Sequence, residues 1–353
     1  MQPKNRGEWS LDRKKYVSPI LAVLFVLCTL ILALAEHRIT GQLTSQTLAK
    51  RWTGDGSFSQ VSCFFKSDSG MSEQMLVPIR YKLNQALSDA AIGVDDTEAG
   101  RNLVDAYSSI GQVSLESSRT STTERAVGVG GDFFLFHPME LLSGNYFDGD
   151  DLNEDGVILD EDVAWKLFGS YDVAGMEITI GNAAYPVRGV VRRRTGMFSK
   201  AAEEDTPTVF VSYKILKEQM GDSLTIESYE LLINSPVEGF GTTQLKDAMG
   251  MDDSSYEMIE NSSRFSLKHR WEVLREFGAR SMKKSGLVYP YWENRARAYE
   301  DVATAFLFAE ILLLIFPGIM LIRLVIAIIR RCKRFSIRKT LEHLLDRAKG
   351  KKI

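Results

Sequence analysis

The oxygen-rich segment DLNEDGVILDED, residues 151–162, is the clearest candidate for chemistry in this sequence. It fits the calcium-loop template, in which Asp and Asn alternate ahead of a glycine and a carboxylate closes the loop. Asp151, Asn153 and Asp155 would supply side-chain oxygens, Gly156 the sharp turn, Val157 a main-chain carbonyl and Asp162 the last carboxylate. Hard, closely spaced oxygens of this kind suit Ca2+. The same residues also have a structural reading, with 157–159 as a strand and Asp162 at the start of a helix, where Asp is a favoured cap.

Little else offers catalysis. The four histidines, His37, His137, His269 and His343, lie far apart in the chain, where solvated or packed imidazoles are the simpler reading. The sequence has no G-x-x-x-x-G-K-[ST] loop to cradle nucleotide phosphates, no G-x-S-x-G elbow, no H-E-x-x-H pair and no C-x-x-C. The expectation is a protein that is not an enzyme and that uses no cofactor, Ca2+ aside.

Two apolar blocks dominate the rest. Residues 17–35 carry no charge, and residues 302–329 carry only Glu310 and Arg323. A helix rises 1.5 Å per residue, so about 20 residues cross a bilayer core, and both blocks are long enough. Charges at such depth face protein or reach for the interface, which makes Glu310 and Arg323 candidates for helix–helix contact or interfacial anchoring. Pro317-Gly318 is a candidate hinge. The triplet Ala33-Leu34-Ala35 before Glu36 has the small-x-small form of a signal-peptidase site. The block is longer than an ordinary signal core, so an anchor is the preferred reading.

Charge sets the orientation. Residues 1–16 hold five basic against two acidic side chains, and residues 330–353 hold ten against two. With Arg323 these account for a net +12, so a chain of net −3 leaves −15 on residues 36–322. Positive flanks stay cytoplasmic, which predicts two spans with both termini inside and an acidic domain outside. The basic tails suit anionic lipid better than nucleic acid, because they adjoin the spans. Of three cysteines only Cys63 falls in the outer domain, so that domain contains no disulfide, as suits a bacterial cell membrane.

The outer elements follow from periodicity. Phe58–Phe65 alternates as a strand with Val61, Cys63 and Phe65 on one face. Residues 72–88 carry a helical stripe of Leu76, Ile79, Leu83 and Leu87. Strand-like runs fill 102–135. A short helix spans 162–168 and closes at Gly169. A hairpin turns at Gly181-Asn182. Strands at 208–212 and 230–233 alternate with helices to Met220 and at 243–249. The spacing of Trp271, Leu274 and Phe277 predicts a further helix, and a last one starts near Trp292 and runs into the second span. Residues 37–56 look like a polar linker, and 89–101 like an acidic loop.

The order and spacing of Gly144, Phe147, Ala164, Leu167, Phe168, Gly169, Gly175, Ile178, Ile180, Val187, Gly189 and Val190 resemble the MacB-like periplasmic core domain of FtsX-like ABC permeases. The resemblance implies an α+β ectodomain with two lobes. An α/β lobe would comprise 57–105 and 205–290, with a strand-rich lobe, 106–204, inserted. The divisions expected are a tail at 1–16, a transmembrane helix at 17–36, the domain at 37–300, a second transmembrane helix at 301–329 and a basic amphipathic helix at 330–353. The segment KRFSIRKTLEHLL, 333–345, resembles the family's coupling segment. It keeps Arg334, Ile337, Arg338, Lys339 and Leu341, but has Phe335, Ser336 and Glu342-His343 where the family has Glu, Gly and Gly-Ala.

The resemblance therefore implies a non-ATP-hydrolysing permease subunit. Its partners would be a separate ABC ATPase and a further membrane subunit supplying the other two spans of a four-span family, in a homo- or hetero-oligomer. The alternative reading is a membrane-anchored scaffold or sensor whose outer domain binds surface partners.

Overall fold

The structure is a computed structural model that describes residues 6–53, 57–93, 100–147, 151, 153–276 and 287–349, with side-chain surroundings given within 17–334. The chain divides into two compact units, residues 1–39 with 303–353, and residues 40–302.

The first unit is a helix pair. Helix α1 (Arg6–Gly41) and the long helix α9 (Tyr291–Lys349) supply it. Within it, Phe25 stacks obliquely on Phe316 with ring centroids 5.6 Å apart, and Ser18 Oγ lies 3.1 Å from Met320 Sδ. The outward surface is a continuous run of exposed Ile, Leu and Val, from Ile20 to Leu34 on α1 and from Ile311 to Ile329 on α9. Water would penalise so much apolar area at roughly 25 cal/mol per Å2. Both helices are long and apolar enough to cross a membrane, so hydrocarbon is their natural solvent. Helical geometry is unbroken through Pro317 and Gly318.

The second unit is built on one ten-stranded sheet. Its strands are β1 (Phe58–Phe65), β2 (Leu103–Glu116), β3 (Ser121–Gly131), β4 (Leu141–Gly144), β5 (Val157–Asp160), β6 (Glu177–Ile180), β7 (Ala183–Val191), β8 (Thr208–Ser212), β9 (Ser228–Asn234) and β10 (Tyr256–Glu260). They run in the order β10-β1-β9-β2-β3-β8-β5-β7-β4, with β6 pairing β2 and β7. Pairing is antiparallel except for β3 with β8 and β5 with β7. The resemblance implies two lobes, and a single sheet runs through both. The long β2–β3 hairpin is the reason. The start of β2 pairs with β9, its end with β6, and β3 carries β8 onward.

Helices cover both faces. Helices α3 (Glu73–Asp89) and α7 (Phe240–Met249) cover one end of the first face, where Leu76, Leu83 and Leu245 meet Val61, Cys63, Phe65 and Tyr229. Helices α5 (Glu161–Phe168) and α6 (Tyr213–Met220) cover the other end of it. The second face receives α2 (Leu48–Trp52), α4 (Phe133–Phe136) and Trp292 of α9. Helix α8 (Leu267–Arg275) buries only Val273. Its Trp271 is exposed, and Phe277 lies outside the described residues.

Three expectations need correction. Residues 37–56 are not a linker over their described part. Helix α1 continues to Gly41, and Leu43, Gln46, Leu48 and Ala49 are buried. The Gln60 carboxamide holds this segment, accepting from Leu48 N–H (2.8 Å) and donating to the Ser45 carbonyl (2.6 Å). The strand-like stretch expected over 102–135 breaks at Gly131, whose φ of +64° turns the chain into α4. Helix α5 is capped by Asp160, which accepts from Asp162 N–H, so Asp162 lies inside the helix.

Two glycines separate backbone strain from crowding. Gly144 (φ +73°) has no room for a Cβ, which would meet the Arg188 carbonyl oxygen at 2.1 Å, whereas Gly175 (φ +86°) has open space. Gly175→Ala should cost about 1–2 kcal/mol for the left-handed backbone alone. Gly144→Ala should add about 1–3 kcal/mol of overpacking. Chemical denaturation of the full chain in detergent, followed by near-UV circular dichroism, measures the difference. Equal midpoint shifts would refute the close approach.

Candidate functional site

The second face of the sheet is polar where the inner strands β1 and β9 cross it. Gln60, Ser62, Ser228 and Glu230 are each no more than 2% exposed. Buried polar groups need partners, and the root of α9 and the loops beside it provide them. Asn261 donates to Ser62 Oγ (2.7 Å), and Ser62 donates to Glu230 (3.1 Å). Glu230 also pairs with His137 Nε2, and the His137 ring lies against Trp292 with centroids 4.5 Å apart.

Helix α9 begins after Pro290, whose carbonyl accepts from the N–H groups of Glu293 and Asn294. Glu293, Arg297 and Glu300 follow at i, i+4 and i+7, which places them on one helix face. Arg264 meets that face with a side chain that is fully buried. Its guanidinium grips Glu293 with two bonds of 2.7 Å and donates from Nε to Glu300 at 2.7 Å. It also donates to Gln46 Oε1 (3.0 Å) and Asn261 Oδ1 (3.1 Å). The planar fork of arginine suits this two-point grip, and lysine could not reproduce it.

The network extends outward. Arg297 donates to Glu293 (2.9 Å) and Glu257 (2.5 Å), and its guanidinium lies 3.9 Å from the Tyr289 ring centroid. His269 lies 3.1 Å from Glu300. Burial alone would push the Arg264 guanidinium below its ordinary value, but Glu293 and Glu300 outweigh it and hold the group above that value. The same balance, with Glu293, Tyr289 and Glu257, raises Arg297. Both arginines therefore stay charged at any physiological pH. The arrangement has no nucleophile poised beside a base. It binds one helix end, in one rotational setting, to β1, β10 and the segment around Gln46.

Sequence reasoning did not single out these residues. Arg264, Glu293, Arg297 and Glu300 are far apart in type pattern and resemble ordinary surface charges. The one available signal was the i, i+4, i+7 acidic–basic–acidic spacing at the start of α9.

The residues it did single out lie elsewhere. Asp151 and Asp155 converge on Arg188 (3.5 and 2.7 Å), while Asp162 pairs with Arg193 together with Asp160. Asn153 N–H donates to Asp151 (3.3 Å), and Val157 opens β5. These carboxylates are thus bonded to arginines, and among the described residues no group of three His, Cys, Asp or Glu is placed to hold a metal. Glu310 and Pro317 are half-buried in α9, Arg323 is exposed, and the buried Glu310 Oε1 has no hydrogen-bond partner among the described residues. Arg334, Ile337, Arg338, Lys339 and Leu341 all lie within α9. Arg334 is exposed, and the side chains of the other four lie outside those described.

Comparison with known proteins places this fold. The profile of the MacB-like periplasmic core domain matches residues 25–249. The macrolide export ATP-binding/permease protein MacB of Neisseria gonorrhoeae is 27% identical over 161 residues, which is 42% of this chain and 25% of that protein. Its namesake in Escherichia coli K12 is 30% identical over 121 residues, 33% of this chain and 19% of that protein. The chain thus aligns with a quarter or less of the length of these relatives. Among solved structures, the periplasmic region of MacB from Actinobacillus actinomycetemcomitans matches with a TM-score of 0.41 and 14% identity, covering 63% of this chain and 95% of that one.

If Arg264 is the residue that binds α9, removing it should take from Glu293 and Glu300 the buried cation they share, leaving them to Arg297 and His269. Arg264→Met should then cost about 3–5 kcal/mol. Replacing all three with apolar residues of similar size should recover much of that loss. Thermal unfolding of the full chain in detergent tests both. A triple variant no more stable than the single one would overturn the account.

Proposed function

The chain belongs to the MacB-like periplasmic core domain family, and from that premise we propose that it is a permease-like membrane subunit of an ABC assembly. Its outer domain is extracytoplasmic, and ATP hydrolysis resides in a separate ATP-binding subunit. A further membrane subunit, or a second copy of the chain, is its other partner in that assembly. The positive flanks put both termini in the cytoplasm, where the basic tails also meet anionic lipid.

The observation that carries this reading is α9 itself. One helix, Tyr291–Lys349, holds the buried carboxylates Glu293 and Glu300 in its first turns. It then contributes the apolar stretch and ends in the basic segment with Arg334, Arg338 and Lys339. A single helix that is fixed at its root and charged at its far end suits transmission of movement rather than catalysis. The 353 residues contain no phosphate-binding loop of the G-x-x-x-x-G-K-[ST] type.

Affinity capture of the tagged full chain from its native membrane, after cross-linking, should recover an ATP-binding ABC subunit. Arg338→Glu with Lys339→Glu should cut that recovery by about tenfold, the effect of losing charged contacts at an interface. Recovery of membrane proteins but no ATP-binding subunit would overturn the proposal and favour a scaffold or sensor.

A further inference from the structure

The other face of the α9 root borders a cavity that the ion network does not use. It lies within the second unit, between the sheet at Arg125 and Thr208, the residues 192–194 that follow β7, and Tyr291, Trp292 and Arg295 of α9. Its volume is about 40 Å3, enough for roughly three waters at about 10–15 Å3 each, or for one tetrahedral oxyanion.

Charge in this cavity does not balance. Five arginines line it against two carboxylates, Asp160 and Glu204. Arg192 pairs with Glu140, Arg193 with Asp160 and Asp162, and Arg295 with Glu204. Arg125 and Arg194 have no carboxylate within ion-pair distance among the described residues. Arg125 donates to Thr208 Oγ1 (2.7 and 2.9 Å) and to the carbonyls of Glu203 and Thr206. Arg194 donates to the carbonyl of Pro138. Burial pushes both guanidinium groups below their ordinary value, and for Arg194 the neighbouring Arg295 cation adds to the effect. Both side chains are half-buried and the carboxylates nearest to them lie beyond ion-pair distance, so neutral acceptors compensate these cations only in part.

Two donors are also unused. Trp292 Nε1 and Arg295 Nε are buried and have no acceptor among the described residues. Trp292 is 3% exposed and Arg295 9%. Native proteins rarely leave such groups unpaired. The first turn of α9 lines the same cavity, and the N-terminal end of a helix favours negative charge. Water could accept from the orphan donors, but it could not neutralise Arg125 and Arg194.

We propose that this cavity binds a tetrahedral oxyanion of the phosphate class, either free or carried by a phosphorylated headgroup. The anion is held by Arg125 and Arg194 and oriented by the indole N–H of Trp292 and Nε of Arg295. The proposal rests on the geometry of the second unit alone and stands apart from any partner ATPase.

The test uses the purified full chain in detergent, in chloride buffer at constant ionic strength. Inorganic phosphate and monomeric dihexanoyl phosphatidylglycerol are titrated separately, and thermal unfolding and calorimetry are read. At least one ligand should raise Tm and give a saturable heat. Arg194→Gln and Trp292→Phe should each weaken that binding about tenfold or more, as expected for loss of a hydrogen bond to a charged group. Trp292→Phe keeps the ring on His137 and deletes only the donor, so it guards against misfolding of the arginine variant. A response to phosphate identifies a free anion, and a response to the lipid alone identifies a headgroup. No stabilisation beyond chloride by either ligand, or an equal response in both variants, would overturn the site.

Discussion

The buried ion network around Arg264 is the constraint on which the outer domain depends. One guanidinium with no exposed side-chain surface joins two carboxylates of α9 to Gln46 and Asn261. Such a network is a weak source of net stability, because desolvation offsets most of its attraction. It is a strong source of specificity. A helix that rotated by one residue would carry Glu293 and Glu300 away from Arg264 and leave that guanidinium buried without a carboxylate. An apolar contact in the same place would tolerate such a slip far better. The setting of α9 is therefore determined by charge, and its opposite side is filled by the aromatic stack of Phe133, His137 and Trp292.

That arrangement explains why the sheet has two unlike faces. Toward α3 and α7 it is apolar, with Val61, Cys63 and Phe65 in contact with leucines. Toward the root of α9, the same strand presents Gln60 and Ser62, both almost fully buried. In sequence, an alternating strand reads as one buried face and one wet face. Here both faces are covered, and the polar residues serve as fastening points for the segment around Gln46 and for the loop carrying Asn261.

Periodicity made much of the fold legible. Phe58–Phe65, the helix carrying Leu76, Ile79, Leu83 and Leu87, the hairpin at Gly181-Asn182 and the strand Thr208–Ser212 all appear where the spacing puts them. These elements bury an apolar stripe against a neighbour, and that stripe is visible in one dimension. What stayed hidden depends on polar residues meeting across long separations. Arg264 reaches Gln46 across 218 residues, and β10, Tyr-Glu-Met-Ile-Glu, is a half-buried edge strand too short and irregular to show a period. The resemblance implies two lobes, and one sheet joins them through a single long hairpin, β2–β3, whose partners are set by register and are not visible in the order of elements.

The two sides of the α9 root differ in how completely they are closed. Around Arg264 the donors and acceptors are matched, with carboxylates, two amides and a neighbouring arginine in mutual contact. Around Arg194 the cations outnumber the carboxylates, and two buried donors have no acceptor. A folded chain can tolerate such an excess only if water, ions or a ligand relieve it. Matched charge fixes a helix, whereas unmatched charge in a cavity recruits something from outside. The matched side therefore gives α9 its position, and the unmatched side gives an anion a means of acting on the same few residues. Any anion bound there would contact Trp292 and Arg295, immediately beside Glu293 in the first turns of α9, so its binding and the setting of the helix would be thermodynamically linked.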